Sequence, residues 1–302
     1  MNIVMTGATG FIGKALVAEL LDHGHQVTVI LRSDSRKADV LKQYKQLHIV
    51  VCSLDEIKQL PQWINEPQDI FYHLAWNGSS GAAREDVRIQ ETNIAYTLSA
   101  LETAKELGCK KFIGAGSQAE YGVFQHLARE DEVPAHPFMM YGAAKHAAYQ
   151  LARLRAAQLD ISFVWPRIYS IYGVGENPGT LVSYLMEELQ KGNSPEVSAG
   201  FNMWNFMEIS DCVRALRILA EHQDTEGVYH VASQDTRLLK EYMKEMGEII
   251  APEIPICFGA KKSDVARTFW LEPSTDKLQQ LGFSCNISFE EGICRRINEI
   301  KA

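Results

Sequence analysis

The chain has 302 residues and a hydrophobic fraction of 46%, enough to bury a full core in one large domain or in two that share an interface. Its 30 basic and 38 acidic side chains leave a formal net charge of −8, which disfavours non-specific binding to nucleic acid or to an anionic membrane. No stretch is apolar enough to span a bilayer, and Cys52, Cys109, Cys212, Cys257, Cys285 and Cys294 have neither metal-ligand nor redox-motif spacing.

In chain order, strands are predicted at residues 2–5, 26–31, 48–51, 69–74, 111–114 and 162–165. Helices are predicted between them, most clearly at 13–23, 85–107 and 141–159, with Gly24 and Gly108 placed as left-handed caps. Strands alternating with helices imply an α/β fold, a doubly wound parallel sheet. After Pro166 the rhythm loosens into a glycine- and proline-rich stretch around one helix, 181–190. A helix at 211–221 and a strand at 228–231 then resume the pattern. The expected division is a dinucleotide-binding domain over 1–165, with 203–234 returning to it. A smaller, partly interleaved substrate domain takes 166–202 and 235–302. Residues 2–5 lead straight into a glycine turn without a charged leader, so a cytoplasmic protein with reduced thiols is expected.

Gly7, Gly10 and Gly13 fall three apart between the first strand and the first helix. One glycine lets the chain turn, the next lets the backbone approach a pyrophosphate, and the third lets helix and strand pack closely. The helix N-terminus then offers free N–H groups and a positive dipole end to phosphate. An ordinary tight loop is the plainer alternative. An NAD site wants an acid at the end of the second strand. Here that strand runs into Arg32, Ser33, Asp34, Ser35, Arg36 and Lys37. Arg32 and Arg36, completed by Ser33, can clamp a 2′-phosphate, so NADP(H) is expected over NAD(H). Asp34 could swing back toward the ribose, and a solvated basic loop is the competing reading.

Tyr141 and Lys145 are four apart at the start of a helix and share a face. A free tyrosine titrates near ~10, too high for acid–base work at neutral pH. An ammonium alongside, together with an oxidised nicotinamide, stabilises the phenolate. Ser117, just past the fifth strand, is placed to bond a reacting carbonyl or hydroxyl. Tyr-x-x-x-Lys is a weak signal alone. Behind a glycine turn and such a serine it becomes a hydride-transfer set.

With these residues the chain resembles the extended short-chain dehydrogenase/reductase family, the group of nucleotide-sugar epimerases, dehydratases and reductases, over nearly its whole length. The motifs are Thr6-Gly7-Ala8-Thr9-Gly10-Phe11-Ile12-Gly13, Tyr72-His73-Leu74-Ala75, Asn93, Gly116-Ser117-Gln118-Ala119-Glu120-Tyr121-Gly122, Tyr141 to Lys145, and Tyr172-Gly173. The resemblance implies a Rossmann-type fold with Ser117, Tyr141 and Lys145 catalytic. It implies cofactor contacts from Thr9, Phe11 and Ile12 in the turn, from Leu54, Leu74 and Ala75, and from Pro166 and Ile168. Asn93 would support the geometry beside the active site. Tyr169 and Ser170 match positions near nicotinamide and sugar, and the segment from Trp204 to Asp211 matches one bordering the nucleotide-sugar pocket. A homodimer through the helices 85–107 and 141–159 is implied as well. Ile94, Leu98, Leu101, Ala148, Leu151 and Leu154 would form its apolar face, unless they only face their own sheet.

Two departures narrow the chemistry. Dehydratases of this group carry acids just after the catalytic hydroxyl; here Gln118 and Ala119 stand there, with Gln118 a substrate contact, so dehydration is disfavoured. Strand alternation aims Glu120 elsewhere. Trp76, where many relatives are small, is either core packing or a wall at the nicotinamide end of the pocket. His73 reads as a satisfied core histidine, Arg167 as structural, and His136 and His146 have no spacing that suggests a metal. The expected activity is NADPH-dependent reduction of a keto group, with C4 favoured, on a nucleotide-activated sugar. Tyr141 is the general acid, Ser117 polarises the oxygen and Lys145 tunes Tyr141. The alternatives are an epimerase with tightly held NAD and, from another class, a non-catalytic NADP-binding regulatory protein.

Overall fold

The computed structural model describes residues 1–33, 38–123, 126–130, 135–262 and 270–301. In chain order its elements are β1 (Asn2–Thr6), α1 (Phe11–Asp22), β2 (Gln26–Leu31), β3 (His48–Val51), β4 (Ile70–His73), α2 (Val87–Glu106), β5 (Lys111–Gly114), β6 (Gly116–Ser117), α3 (Met140–Leu159) and β7 (Ser162–Ile168). There follow β8 (Ser170–Tyr172), α4 (Leu181–Gln190), β9 (Glu196–Val197), β10 (Met203–Glu208), α5 (Ile209–Glu221), β11 (Gly227–Val231) and β12 (Thr236–Leu238). The last are α6 (Leu239–Ile250), β13 (Cys257–Phe258), α7 (Asp276–Gln279) and α8 (Phe289–Lys301).

The main sheet has the order β11-β7-β5-β4-β1-β2-β3, with β6 beside β7. The pairs β1–β2, β1–β4, β2–β3, β4–β5, β5–β7 and β6–β7 are parallel. β4 and β5 are buried along their whole lengths, as strands covered on both faces must be. α2 begins two residues later than its hydrophobic pattern predicts because Asp86 is its N-cap. The carboxylate accepts from the Arg88 and Ile89 N–H groups at 2.9 and 3.1 Å. β7 runs three residues beyond its predicted end, because β6 gives Arg167 and Ile168 a partner strand. Gly24 and Gly108 adopt φ of 77° and 84°, the left-handed caps the sequence asked for.

On one side of the sheet Phe71, Phe112 and Phe163 stack in a row at 5.8 and 6.1 Å, and Phe163 meets Trp165 at 5.7 Å. α3 presents Ala148, Ala152 and Ala156 to this core, and α2 presents Ala100, Leu101 and Ala104. Small residues every fourth position bring the α3 backbone close to the sheet. Leu101 and Ala148 are therefore spent on the helices' own core, while Ile94 and Leu98 pack partly against it. Leu151 and Leu154 remain exposed, at 47% and 55%.

The chain divides into two compact units. The first comprises 1–122, 134–168 and 213–229; the second comprises 123–133, 169–212 and 230–302. The expected return of 203–234 to the first unit is thus too wide. β10 stays with the second because it pairs with β8 and β12. The second unit has its own core, in which Phe206, Tyr242 and Phe289 meet at 4.7–5.7 Å. No disulfide joins the described cysteines, and among the described residues no helix is long and apolar enough to cross a membrane.

Candidate active site

The glycine turn is shaped by close approach. Gly7 has φ 80°, and a Cβ on it would lie 2.7 Å from the Ala75 nitrogen and the Leu74 carbonyl carbon. A Cβ on Gly13 would lie 2.1 Å from the Gly7 carbonyl oxygen. Any side chain at either position would push β1, β4 and α1 apart. α1 starts at Gly10 with no side-chain cap and no acid in its first turn, so its leading N–H groups and dipole face outward uncompensated.

A groove of about 350 Å³ opens there. Among its lining residues are the expected Gly7, Thr9, Gly10, Arg32, Leu54, Leu74, Ala75 and Trp76. Cys52, Asp55, Asn77, Ser79 and Tyr96 line it too and were not foreseen, because nothing in their local sequence marks them. Of the other expected cofactor residues, Phe11, Ile12 and Gly13 form the first turn of α1, and Pro166 and Ile168 are buried in β7. Arg32 and Ser33 are exposed just past β2; Arg36 lies outside the described residues. An uncapped helix end above a cradle that only glycine permits fits a dinucleotide pyrophosphate.

Asn93 is buried and acts on backbone. Its Oδ1 accepts from the Asn77 N–H at 2.8 Å, and its Nδ2 donates to the Asn77 carbonyl at 2.9 Å. Three residues earlier on α2, Gln90 accepts from the Trp76 indole N–H at 2.9 Å and donates to the Gly78 and Ala83 carbonyls. α2 thus fixes the segment after β4 residue by residue. Trp76, left open between core and wall, lines the groove and also meets Lys145 and Tyr141. Its ring lies 3.6 Å below the Lys145 ammonium and edge-on to Tyr141, with centroids 6.1 Å apart.

The Ser117 hydroxyl favours the ionised form of the Tyr141 hydroxyl. The Ser117 Oγ also accepts from the Ala119 N–H at 3.2 Å, which leaves its proton for an acceptor in front of it. Behind Ser117 lies Glu120, fully buried. Its Oε1 accepts from the Ser117 N–H and the Trp165 indole, both at 2.9 Å, and its Oε2 accepts from the Arg167 Nε at 3.0 Å. Glu120 therefore faces inward, not by the strand alternation expected but because Gln118–Glu120 form a 3-10 turn with a Ser117–Glu120 capping box, and Arg167 is its counter-ion.

Lys145 donates to the Ala115 carbonyl at 2.6 Å. Burial draws its ammonium down to about 7, with Glu120 opposing. The expected tuning of Tyr141 by Lys145 is not what the geometry emphasises. Burial raises the Tyr141 hydroxyl; the Ser117 hydroxyl and the Arg84 charge lower it, and Glu120 raises it. Arg84, absent from the sequence reading, lies over the Tyr141 ring at 4.5 Å. His73 is neutral: burial and Lys145 push it to about 3, and its Nδ1 pairs with the Thr6 hydroxyl at 3.0 Å. The Gln118 Oε1 is buried without a partner.

Tyr169, Ser170 and Trp204 belong to the second unit. Tyr169 packs edge-on to His230 at 5.3 Å, Ser170 pairs with Phe206, and Trp204 stands opposite Arg237 with a buried, unpartnered indole N–H. A cavity of about 670 Å³ lies within this unit, but its arginine, Arg237, is already paired with Asp235 and Glu245. Among the described residues its lining has no lysine beside a tyrosine. Among the described residues no cluster of histidine, cysteine or carboxylate side chains could hold a metal.

Comparison with known proteins places these features in context. A model described as the NAD dependent epimerase/dehydratase family matches residues 3–232. The dTDP-6-deoxy-L-talose 4-dehydrogenase (NAD(+)) of Aggregatibacter actinomycetemcomitans is 26% identical over 255 residues, covering 81% of this chain and 89% of the relative. The crystal structure of UDP-glucose 4-epimerase with UDP-glucose from Thermotoga maritima superposes with a TM-score of 0.86 at 23% identity, over 100% of this chain and 99% of the other. The Thermus thermophilus UDP-glucose 4-epimerase complex with NAD gives 0.84 at 22% identity, with the same coverage. At such identities the two structures speak for the fold.

Proposed function

The chain belongs to the NAD dependent epimerase/dehydratase family, and we propose that within it the protein is a ketoreductase acting at C4 of a nucleotide-activated sugar. The observation that carries this reading is Trp76, which lines the glycine-turn groove and touches both Lys145 and Tyr141, so that groove and acid–base set form one site. The turn of Gly7, Thr9 and Gly10, with Leu74 and Ala75, would hold a nicotinamide dinucleotide, which when bound supplies the hydride exchanged with the sugar carbon. Tyr141 delivers a proton to the carbonyl oxygen through its hydroxyl. Ser117 donates a second hydrogen bond to that oxygen as charge develops on it. Lys145, with one N–H spent on Ala115, keeps donors for a ligand hydroxyl. The relative named a 4-dehydrogenase supports chemistry at C4. Gln118 and Ala119 supply no acid to expel a hydroxyl, which argues against dehydration.

An epimerase must present both faces of one carbon to the same hydride, so the sugar has to turn over inside the site. The indole of Trp76 narrows the space beside Tyr141, which favours net reduction. The test is purified protein against a panel of 4-keto nucleotide sugars, read by NADPH absorbance. Cofactor retained through purification, with turnover that needs no added NADPH, would make the protein an epimerase instead.

Arg32, exposed at the rim of the groove with no acid beside it at position 31, supports NADP(H) over NAD(H). The compared proteins whose names state a cofactor name NAD, so this preference would set the chain apart from them. Titration with both cofactors should show roughly tenfold to a few hundredfold tighter NADP binding, inverted or erased by Arg32→Asp. Equal affinity or tighter NAD binding overturns the assignment. Leu151 and Leu154, exposed on α3, support a homodimer; light scattering showing a strict monomer at micromolar concentration would overturn it.

A further inference from the structure

Arg84 lies in the 3-10 turn Gly81–Glu85, and its guanidinium carbon sits 4.5 Å from the centroid of the Tyr141 ring. Its Nη2 donates to the Met139 sulfur at 3.2 Å, while its Nε is buried without a hydrogen-bond partner. The turn cannot drift, because Gln90 holds the Ala83 carbonyl at 2.9 Å. Lys145, which the four-residue spacing would set against Tyr141, lies 5.9 Å from that ring and 3.6 Å from Trp76. Arg84, and not Lys145, is the cation nearer the Tyr141 ring.

The geometry points to Arg84 as a positioning residue that acts through Tyr141, holding positive charge on the ring face so that the phenolate is stabilised and the hydroxyl exchanges its proton more readily. This rests on Tyr141 being the proton-exchanging group. Ionisation spreads negative charge from the oxygen into the ring, so a cation on the face binds the ionised form better than the neutral one. The charged groups around Tyr141 are Arg84 from the turn, Lys145 from its own helix, Glu120 from behind Ser117, and Glu85, which accepts from the Met140 N–H. His73 on β4 is neutral. Of the charges that act on the hydroxyl, Arg84 lowers its pKa and Glu120 raises it.

The test replaces Tyr141 in the full chain with 3,5-difluorotyrosine, whose phenol is acidic enough to titrate where proteins are stable, and follows its fluorine resonance against pH. Arg84→Gln should raise the midpoint by about one unit, tenfold in the ionisation constant, and Arg84→Lys by less. Arg84→Lys keeps the charge and bulk, and so remains informative should the neutral variant fold poorly. A midpoint that stays within about 0.3 unit of the parent in Arg84→Gln, or falls, overturns the proposal. The titration needs no sugar substrate, so it decides the role of Arg84 whatever the substrate panel shows. Normal turnover by Tyr141→Phe would instead sink the functional reading.

Discussion

Lys111 and Lys145 are buried in the same unit to nearly the same degree, 5% and 3% exposed, yet their ammonium groups are treated oppositely. Lys111 reaches the end of α5 and gives its donors to the carbonyls of Leu219, Ala220 and His222 and to the Thr225 hydroxyl. Those carbonyls are ones a helix terminus leaves without partners, and a cation there also meets the negative end of the dipole. Lys145 has one carbonyl and the face of an indole. A lysine whose donors are all consumed holds structure together. A lysine with donors in reserve is prepared for something that arrives.

Four substitutions can break that contrast, starting with the largest effect. Tyr141→Phe should lower turnover by on the order of 10²–10⁴ with cofactor binding kept, and Lys145→Met should follow it in direction. Near-normal turnover in either variant would remove the functional half of the comparison. Glu120→Ala should cost about 3–5 kcal/mol of folding stability in urea denaturation, because it strands Arg167 as an unpaired buried charge. Lys111→Met should cost about 1–3 kcal/mol by taking the ammonium from the helix-end carbonyls and leaving that of Ala220 unpaired, with turnover of the folded protein unchanged. Lost turnover at intact stability would reverse the roles assigned to the two lysines.

The smallest effect is on the pH dependence of stability. Burial draws Lys111 down to about 8, with Asp224 opposing, and Lys145 down to about 7. An unfolded lysine titrates near ~10.4, so between those values the unfolded chain holds more protons than the folded one. Stability from these groups therefore rises as pH climbs through the window and is lowest below it. Lys111→Met should flatten the part of the rise above about pH 8 in urea midpoints measured from neutral to alkaline pH. An unchanged slope would mean that Lys111 folds with its proton undisturbed.

Much of this was legible in the sequence because its signals are local. Strand–helix alternation set the sheet, three glycines marked the groove, and a four-residue spacing behind a serine picked out Ser117, Tyr141 and Lys145. What escaped depends on contacts between distant segments. Arg84 gives no local cue; it reaches Tyr141 only because Gln90, on the next helix, pins the turn that carries it. Trp76 could not be placed until its indole N–H found the same glutamine. Residues 203–212 read as a return to the first unit because the helix at 211–221 and the strand at 228–231 resume the alternating pattern there. Only pairing to β8 and β12 assigns them to the second.

The partners of Lys111 lie 108 to 114 residues further along the chain. At a synthesis rate of about 5–20 residues per second, β5 leaves the ribosome on the order of 5–20 seconds before the oxygens that will receive its ammonium. The strand that carries Lys111 can already pair with β4, but burying its outer end would strand a charge. That end of the sheet and the end of α5 therefore complete each other across a third of the chain.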